Sequence, residues 1–238
     1  MHEKPELIVM LTYNDVTVSN AYEIFEQCRN TKAVYWGFKE EGLSPEQMKK
    51  LYSYMKSCGK TTVLEVVAYT EEECLKGAEM AVECNCDILM GTVFSDSVNN
   101  FCKRNHLKYM PFVGTITQRP SVLDGTIEQM VAEGKEYLKK GVYGIDLLGY
   151  RYVGNAAQLN RNLTSEISAP VCIAGSVNSY QRLKEIAKTN ACFFTIGSAF
   201  FDHVFGNDMS AADIMHIILI HGVICRYDWN IQIFCHDA

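Results

Sequence analysis

The chain has 238 residues, of which 48% are hydrophobic and 21% are charged, and this composition excludes an intrinsically disordered protein. Its 28 acidic side chains outnumber its 22 basic ones, so the formal net charge of -6 argues against nucleic acid as a partner. No apolar run approaches the ~20 residues that span a bilayer, and the polar start lacks a signal-peptide pattern, so we expect a cytoplasmic protein with no membrane partner.

Short apolar runs typical of buried strands alternate with amphipathic helical segments along the whole chain. The predicted strands are Leu7–Thr12, Ala33–Phe38, Thr62–Val67, Asp87–Gly91, Tyr109–Gly114, Gly144–Gly149, Pro170–Gly175 and Cys192–Gly197. Units of nearly equal length favour closure over an open doubly wound sheet. The predicted fold class is therefore α/β, a (β/α)8 TIM barrel, which needs about 250 residues.

The domain organisation predicted from the sequence is a single barrel. No linker rich in proline, glycine or serine divides residues 1–238, and residues 223–238 form a C-terminal extension that does not fit the repeat. Ser44, Thr70 and Ser210 have the pattern of helix N-caps. The long stretch 115–125 follows the fifth predicted strand, and we expect it to fold over the mouth of the barrel.

The ten cysteines lie mostly inside apolar helices and strands, so they are interpreted as small core residues rather than as a disulfide framework. Cys84 and Cys86 form a close pair, but no second pair or neighbouring histidine completes a zinc site. None of the six histidines falls at the C-terminal end of a predicted strand. We therefore expect neither a metal nor a cofactor.

Two glycine turns stand at the ends of the last two predicted strands. They are Gly175-Ser176 and Gly197-Ser198. In a TIM barrel the active site lies at the C-terminal ends of the strands, and a glycine there lets backbone N–H groups approach an anion closely. One such turn has a simple structural explanation, but two on consecutive strands predict a binding site for the phosphate of a small-molecule ligand.

The order of the elements and these two turns resemble the ribulose-phosphate-binding barrels. This superfamily includes tryptophan- and histidine-pathway barrels, pentulose-phosphate epimerases and N-acylmannosamine-6-phosphate epimerases. Its members commonly have a Gly-Gly or Gly-polar turn after strand seven and a Gly-Ser-Ala turn after strand eight, where this chain has Ala174-Gly175-Ser176 and Gly197-Ser198-Ala199. The resemblance implies a phosphorylated ligand without naming it.

A second similarity lies at the end of the second predicted strand. Residues 37–42 are similar to that part of the mannosamine-phosphate epimerases, where a basic residue precedes an acid and a glycine. Those epimerases also carry a glutamate just after strand seven, and here Gly175 and Ser176 stand in its place. The similarity therefore does not extend to a complete catalytic set.

Three ionisable side chains are the candidate catalytic groups. Glu65 lies in an apolar strand, where a partly buried carboxylate suits a general base, and Asp146 follows the same logic on the sixth strand. As a pair they would exchange a proton across a substrate carbon. Lys39 would stabilise an oxyanion or form a Schiff base if its pKa were lowered. For Glu65 the alternative is a structural ion pair inside the barrel, for instance with Lys39. For Lys39 the alternative is a solvated loop lysine beside Glu40 and Glu41.

Asn14, Arg151 and Arg119 are the candidate substrate-binding residues. Either arginine could grip a carboxylate or a second phosphate with a bidentate fork, or be an ordinary surface residue. The leading interpretation is an isomerase or epimerase of a small phosphorylated sugar or related metabolite. An aldolase-like lyase that uses Lys39 and a non-catalytic regulatory barrel that binds a phosphometabolite are the alternatives. A homo-oligomer is compatible with the sequence.

Overall fold

The computed structural model describes residues 4–206 and 209–224. Eight parallel strands form one sheet in these residues: β1 Glu6–Met10, β2 Tyr35–Lys39, β3 Thr61–Val66, β4 Ile88–Gly91, β5 Lys108–Met110, β6 Ile145–Leu147, β7 Val171–Ile173 and β8 Phe193–Ile196. Hydrogen-bonded neighbours follow the order β6-β7-β8-β1-β2-β3-β4-β5. A parallel bridge between Phe112 and Asp146 joins the two edges, so the sheet is a nearly closed barrel and the predicted TIM-barrel fold is confirmed.

Helices alternate with these strands and cover the outside of the barrel. They are α1 Ala21–Cys28, α2 Pro45–Ser57, α3 Glu71–Glu83, α4 Asp96–Arg104, α5 Ile127–Lys139, α6 Ala156–Glu166, α7 Tyr180–Ile186, the short α8 Ser198–Phe201, and α9 Ala211–Ile224. The predicted N-caps Ser44, Thr70 and Ser210 each accept a hydrogen bond from a backbone N–H three residues on. Among the described residues no helix is long and apolar enough to cross a membrane.

The core has one layer inside the barrel and another between the barrel and the helices. The inner layer contains Ile8, Met10, Val63, Ile88, Met90, Met110, Cys172 and Phe193. Side chains alternate along a strand, so Glu65 shares the inner face with Val63. Asp146 is paired in register with Cys172 and faces the interior as well. The strand pattern thus directs two carboxyl groups into the barrel.

Two antiparallel hairpins stand at the barrel mouth, where the sequence predicts no strands. The first pairs Thr12–Tyr13 with Val16–Thr17, and the second pairs Thr115–Thr117 with Val122–Asp124. The first turns through Asn14 and Asp15, whose positive φ angles of 49° and 64° suit a two-residue hairpin turn. At the end of the chain, α9 includes residues 223 and 224 of the predicted extension, and residues 225–238 lie outside the described residues.

Candidate functional site

A cavity opens at the C-terminal ends of the strands, where the barrel architecture predicts an active site. Seven of the ten predicted site residues line it: Lys39, Glu65, Arg151, Gly175, Ser176, Gly197 and Ser198. Ser121, from the second hairpin, also lines the cavity, so the stretch 115–125 does lie at the mouth. Asn14, Arg119 and Asp146 are the three predicted residues that are not part of the lining.

The turn after β7 presents its backbone to the cavity. Gly175 and Ser176 both have left-handed backbone, with φ angles of 82° and 68°. Glycine adopts this conformation without strain, whereas serine does so rarely. A Cβ on Gly175 would lie 2.8 Å from Cγ of Arg151. Glycine at this position therefore allows both the turn and the close packing of the arginine stem against it.

The turn after β8 lies beside the first hairpin. A Cβ on Gly197 would lie 2.7 Å from Oγ1 of Thr12, so the hairpin packs directly against the glycine. The backbone N–H of Asn14 donates a hydrogen bond to Oγ of Ser198 at 3.2 Å. Asn14 therefore contacts the predicted phosphate turn through its backbone, and the structure does not bring its side chain to the cavity lining.

Lys39, at the end of β2, is buried beside two carboxylates. Its Nζ donates a hydrogen bond to Oδ1 of Asp15 at 2.7 Å and lies 3.9 Å from Oε1 of Glu65. Burial alone would lower the pKa of Lys39, but the charge of Glu65 and the hydrogen bond and charge of Asp15 outweigh burial and raise it. Lys39 is therefore held as an ammonium group, and the predicted ion pair with Glu65 is present.

Asp15 has no predicted role, yet it lies at the centre of this charge cluster. It stands at the tip of the first hairpin, and its Oδ1 is 3.4 Å from Nη2 of Arg151 as well as 2.7 Å from Lys39. Burial acts to raise the pKa of Asp15, but Lys39 and then Arg151 lower it below its ordinary value. Asp15 is therefore an ionised bridge between two cations.

Asp146 lies inside the barrel, below the residues that line the cavity. Its side chain is buried, and neither carboxyl oxygen has a hydrogen-bond partner among the described residues, although the Gly91 backbone N–H lies near enough to favour the ionised form slightly. Burial and then the charge of Glu65 raise the pKa of Asp146 well above its ordinary value, against an opposing effect of Lys39. Asp146 is thus a buried carboxyl group with a raised pKa that does not line the cavity, and its catalytic role stays a prediction.

Arg151 and Arg119 have different places in the structure. Arg151 ends the short 3-10 turn Gly149–Arg151 after β6, and its side chain lines the cavity. Arg119 instead forms ion pairs with Glu40, at 2.6 Å, and with Glu41. Arg119 therefore ties the second hairpin to the loop after β2, and the structure does not bring it to the cavity.

Metal ligands and reactive thiols do not contribute to the site in residues 4–206 and 209–224. No group of three or more His, Cys, Asp or Glu side chains in that part of the chain is arranged to hold a metal ion. Cys84 and Cys86 are free and buried, and burial raises the pKa of Cys86 to about 12. The lining of the described cavity supplies carboxylates, two cations, hydroxyl groups and backbone donors.

Comparison with known proteins gives the fold. No protein-family model and no curated protein matches the chain. It is similar to orotidine 5'-phosphate decarboxylase from Pyrococcus horikoshii OT3, with 13% identity and a TM-score of 0.67 over 90% of this chain and 98% of the other. It is also similar to N-acetylmannosamine-6-phosphate 2-epimerase from Clostridium perfringens, with 14% identity and a TM-score of 0.61 over 82% and 87%.

A third similar structure is an aldolase. It is a 4-hydroxy-2-oxoglutarate and 2-dehydro-3-deoxyphosphogluconate aldolase with 12% identity and a TM-score of 0.57, covering 92% of each chain. The fold of this chain is a TIM barrel like those of these three structures, as its sequence predicts. A decarboxylase, an epimerase and an aldolase share that fold, so the fold does not select a reaction.

Proposed function

We propose that this chain is an enzyme that moves a proton on a small phosphorylated sugar or related metabolite, as an isomerase or epimerase does. The observation that carries the proposal is the position of Lys39 and Glu65. Their charged atoms lie 3.9 Å apart in the same cavity that the two glycine turns line. A phosphate anchor, a base and a fixed positive charge are the three groups that enolisation of a phosphorylated carbonyl compound requires.

The phosphate would bind at the turns after β7 and β8. Gly175 and Gly197 offer backbone without side chains there, and backbone N–H groups are suited to an oxyanion. Arg151 packs against Gly175 and contacts Asp15 only at 3.4 to 3.5 Å, so its guanidinium can turn towards a phosphate. One end of the ligand is thereby fixed, and its other end extends towards β2 and β3.

The reaction would begin at Glu65. Its carboxylate takes the proton from the carbon next to the substrate carbonyl, and the electron pair of that C–H bond forms the carbon–carbon double bond of an enediolate. The carbonyl oxygen becomes an oxyanion, which the Lys39 ammonium group stabilises. Return of the proton from Glu65 to the former carbonyl carbon, with the proton of the adjacent hydroxyl passing to the oxyanion, gives isomerisation. Delivery of a proton from water to the opposite face of the original carbon gives epimerisation, and Glu65 then releases its proton to solvent.

The aldolase-like alternative requires Lys39 as a nucleophile. An imine forms from the neutral amine, but Lys39 is paired with Asp15 at 2.7 Å and its pKa is raised rather than lowered. These contacts favour a charged clamp over a Schiff-base lysine. Borohydride reduction in the presence of substrate distinguishes the two, because only an imine leaves a stable adduct on Lys39.

The proposal is tested by hydrogen exchange. The protein is incubated in D2O with aldose and ketose phosphates of three to six carbons, and proton NMR follows loss of the signal from the carbon next to the carbonyl. We expect exchange with the wild-type protein and a loss of at least ~100-fold in Glu65→Gln, the lower range of a general base's contribution. Glu79→Gln, an exposed carboxylate on α3, is the matched control.

Each outcome favours one interpretation. Full exchange by Glu65→Gln would remove Glu65 from the mechanism. A trapped adduct on Lys39 would favour the lyase. Tight binding of sugar phosphates with no exchange of any of them would favour the non-catalytic regulatory barrel.

A further inference from the structure

We infer that the substrate is a sugar monophosphate that carries hydroxyl groups but no carboxylate and no second phosphate. The inference deepens the proposed function and rests on it for the position of the phosphate. It is drawn from the charges of the cavity and from the partners that those charges already have. Phosphorylated sugar acids carry a carboxylate charge that phosphorylated sugars lack, so the cavity can discriminate between them.

The cavity lining carries more negative than positive side chains. Its carboxylates are Asp15, Glu65 and Asp202, and its cations are Lys39 and Arg151. Three negative charges against two positive ones leave the lining with a net charge of -1, before any ligand enters. Because backbone donors and Arg151 would bind the phosphate, the remaining side chains offer no positive charge that offsets a second anion on the ligand.

Both cations are already paired. Lys39 lies 2.7 Å from Asp15 and 3.9 Å from Glu65, and Arg151 lies 3.4 Å from Asp15. Asp15 therefore stands between the two cations at the place where a substrate carboxylate would have to bind. A carboxylate there would be repelled by Asp15 at close range, in a partly buried site that screens charge less than bulk water does. Lys39 and Arg151 without Asp15 would attract a second anion. The cluster that includes Asp15 repels it.

The same groups suit hydroxyls. An ionised carboxylate accepts hydrogen bonds only, so Asp15 and Asp202 are acceptors for the O–H groups of a sugar. Thr12, Asn178 and Thr195 line the cavity too and offer both donors and acceptors. A neutral polyhydroxylated chain therefore meets complementary partners along the cavity, whereas an aldonate chain of the same length adds one uncompensated charge.

The experiment compares matched non-reacting ligands by isothermal titration calorimetry. Sorbitol 6-phosphate is paired with 6-phosphogluconate, and ribitol 5-phosphate with 5-phosphoribonate, so that each pair differs only by a terminal alcohol or carboxylate. We expect at least one alditol phosphate to bind about 10-fold more tightly than its acid and more tightly than inorganic phosphate. Asp15→Asn should reduce or reverse this preference about 10-fold, because the acid gains affinity when the central negative charge is removed.

Asp202→Asn, at the exposed rim, is a second variant that should shift the preference in the same direction, and it keeps the test valid if Asp15→Asn does not fold. Glu79→Gln removes an equal charge outside the cavity and should leave the ratio unchanged. Tighter binding of either acid by the wild-type protein, or alditol phosphates no better than inorganic phosphate, would overturn the inference. Selective alditol phosphate binding without proton exchange would instead support the inference and reject the proposed catalysis.

Discussion

The guanidinium of Arg182 donates a hydrogen bond to the backbone carbonyl oxygen of Ser176. The same Nη1 atom lies 2.8 Å from Oδ1 of Asn178, and the group stacks over the ring of Tyr150 at 4.7 Å from its centroid. Arg182 does not line the cavity, but it holds the turn after β7 from behind. A side chain on α7 thereby fixes the left-handed backbone of Ser176, which lines the cavity at the proposed phosphate site.

Replacing Arg182 should therefore weaken phosphate binding without removing a ligand contact. We expect Arg182→Met to lower the affinity for inorganic phosphate by roughly tenfold, which corresponds to about 1.4 kcal/mol, less than a full charge-assisted hydrogen bond. Titration followed by phosphorus NMR measures the effect. Arg161→Met, which removes an exposed arginine from α6, is the control. An unchanged affinity in a folded Arg182→Met protein would show that the turn holds its shape without the arginine.

The features that sequence predicts well here are local ones. Apolar runs and glycine turns identify the strand ends because hydrophobic alternation and the steric need for glycine depend on a few neighbouring residues. Gly175 is an example, since its φ of 82° is a local requirement of the turn that glycine meets without strain. The strands themselves are mostly shorter than predicted, as β5 shows by ending at Met110, directly before Pro111, which has no N–H to donate.

The features that sequence misses depend on distant segments. Asp15 enters the site only because the first hairpin folds back, and its partner Arg151 is 136 positions away. Arg119 is drawn from the cavity by Glu40, which is 79 positions away. Asp146 lies deeper inside the barrel than Glu65. This difference follows from strand register and from the bridge to Phe112, which the apolar pattern of the sequence does not reveal.

Gly175 provides a test that separates backbone strain from site geometry. Alanine at a left-handed position costs about 1 to 2 kcal/mol of folding free energy, and here its Cβ would also displace Arg151. Gly59 has a similar φ of 74°, but a Cβ added there would meet nothing within 4 Å, so Gly59→Ala carries the strain without the collision. We expect urea unfolding to show destabilisation of both variants and titration to show that only Gly175→Ala loses phosphate affinity. Equal phosphate affinity in the two variants would place the anion elsewhere.

The buried carboxyl group of Asp146 predicts a specific pH dependence of stability. In the unfolded chain it ionises near its ordinary pKa of 3.8, whereas burial and the neighbouring charge of Glu65 keep it protonated to higher pH in the folded protein. Lys39 on β2 opposes this effect, and the thiol of Cys172 on β7 is buried beside the carboxyl group in a neutral form. Above about pH 4, and until Asp146 ionises in the folded protein, the folded state therefore binds up to one more proton at Asp146 than the unfolded state does.

The contribution of Asp146 to the free energy of unfolding must then fall as pH rises, by up to about 1.4 kcal/mol per pH unit, until Asp146 ionises in the folded protein. Asp146→Asn cannot ionise, so the difference in unfolding free energy, variant minus wild type, should increase with pH over the same window. Urea titrations at a series of pH values measure this slope, and a constant offset from the changed packing does not affect it. Asp124→Asn, at an exposed position, is the control. If the difference in unfolding free energy between Asp146→Asn and wild type stays constant above pH 4, the folded protein holds Asp146 ionised. That result would contradict a raised pKa for this buried carboxyl group.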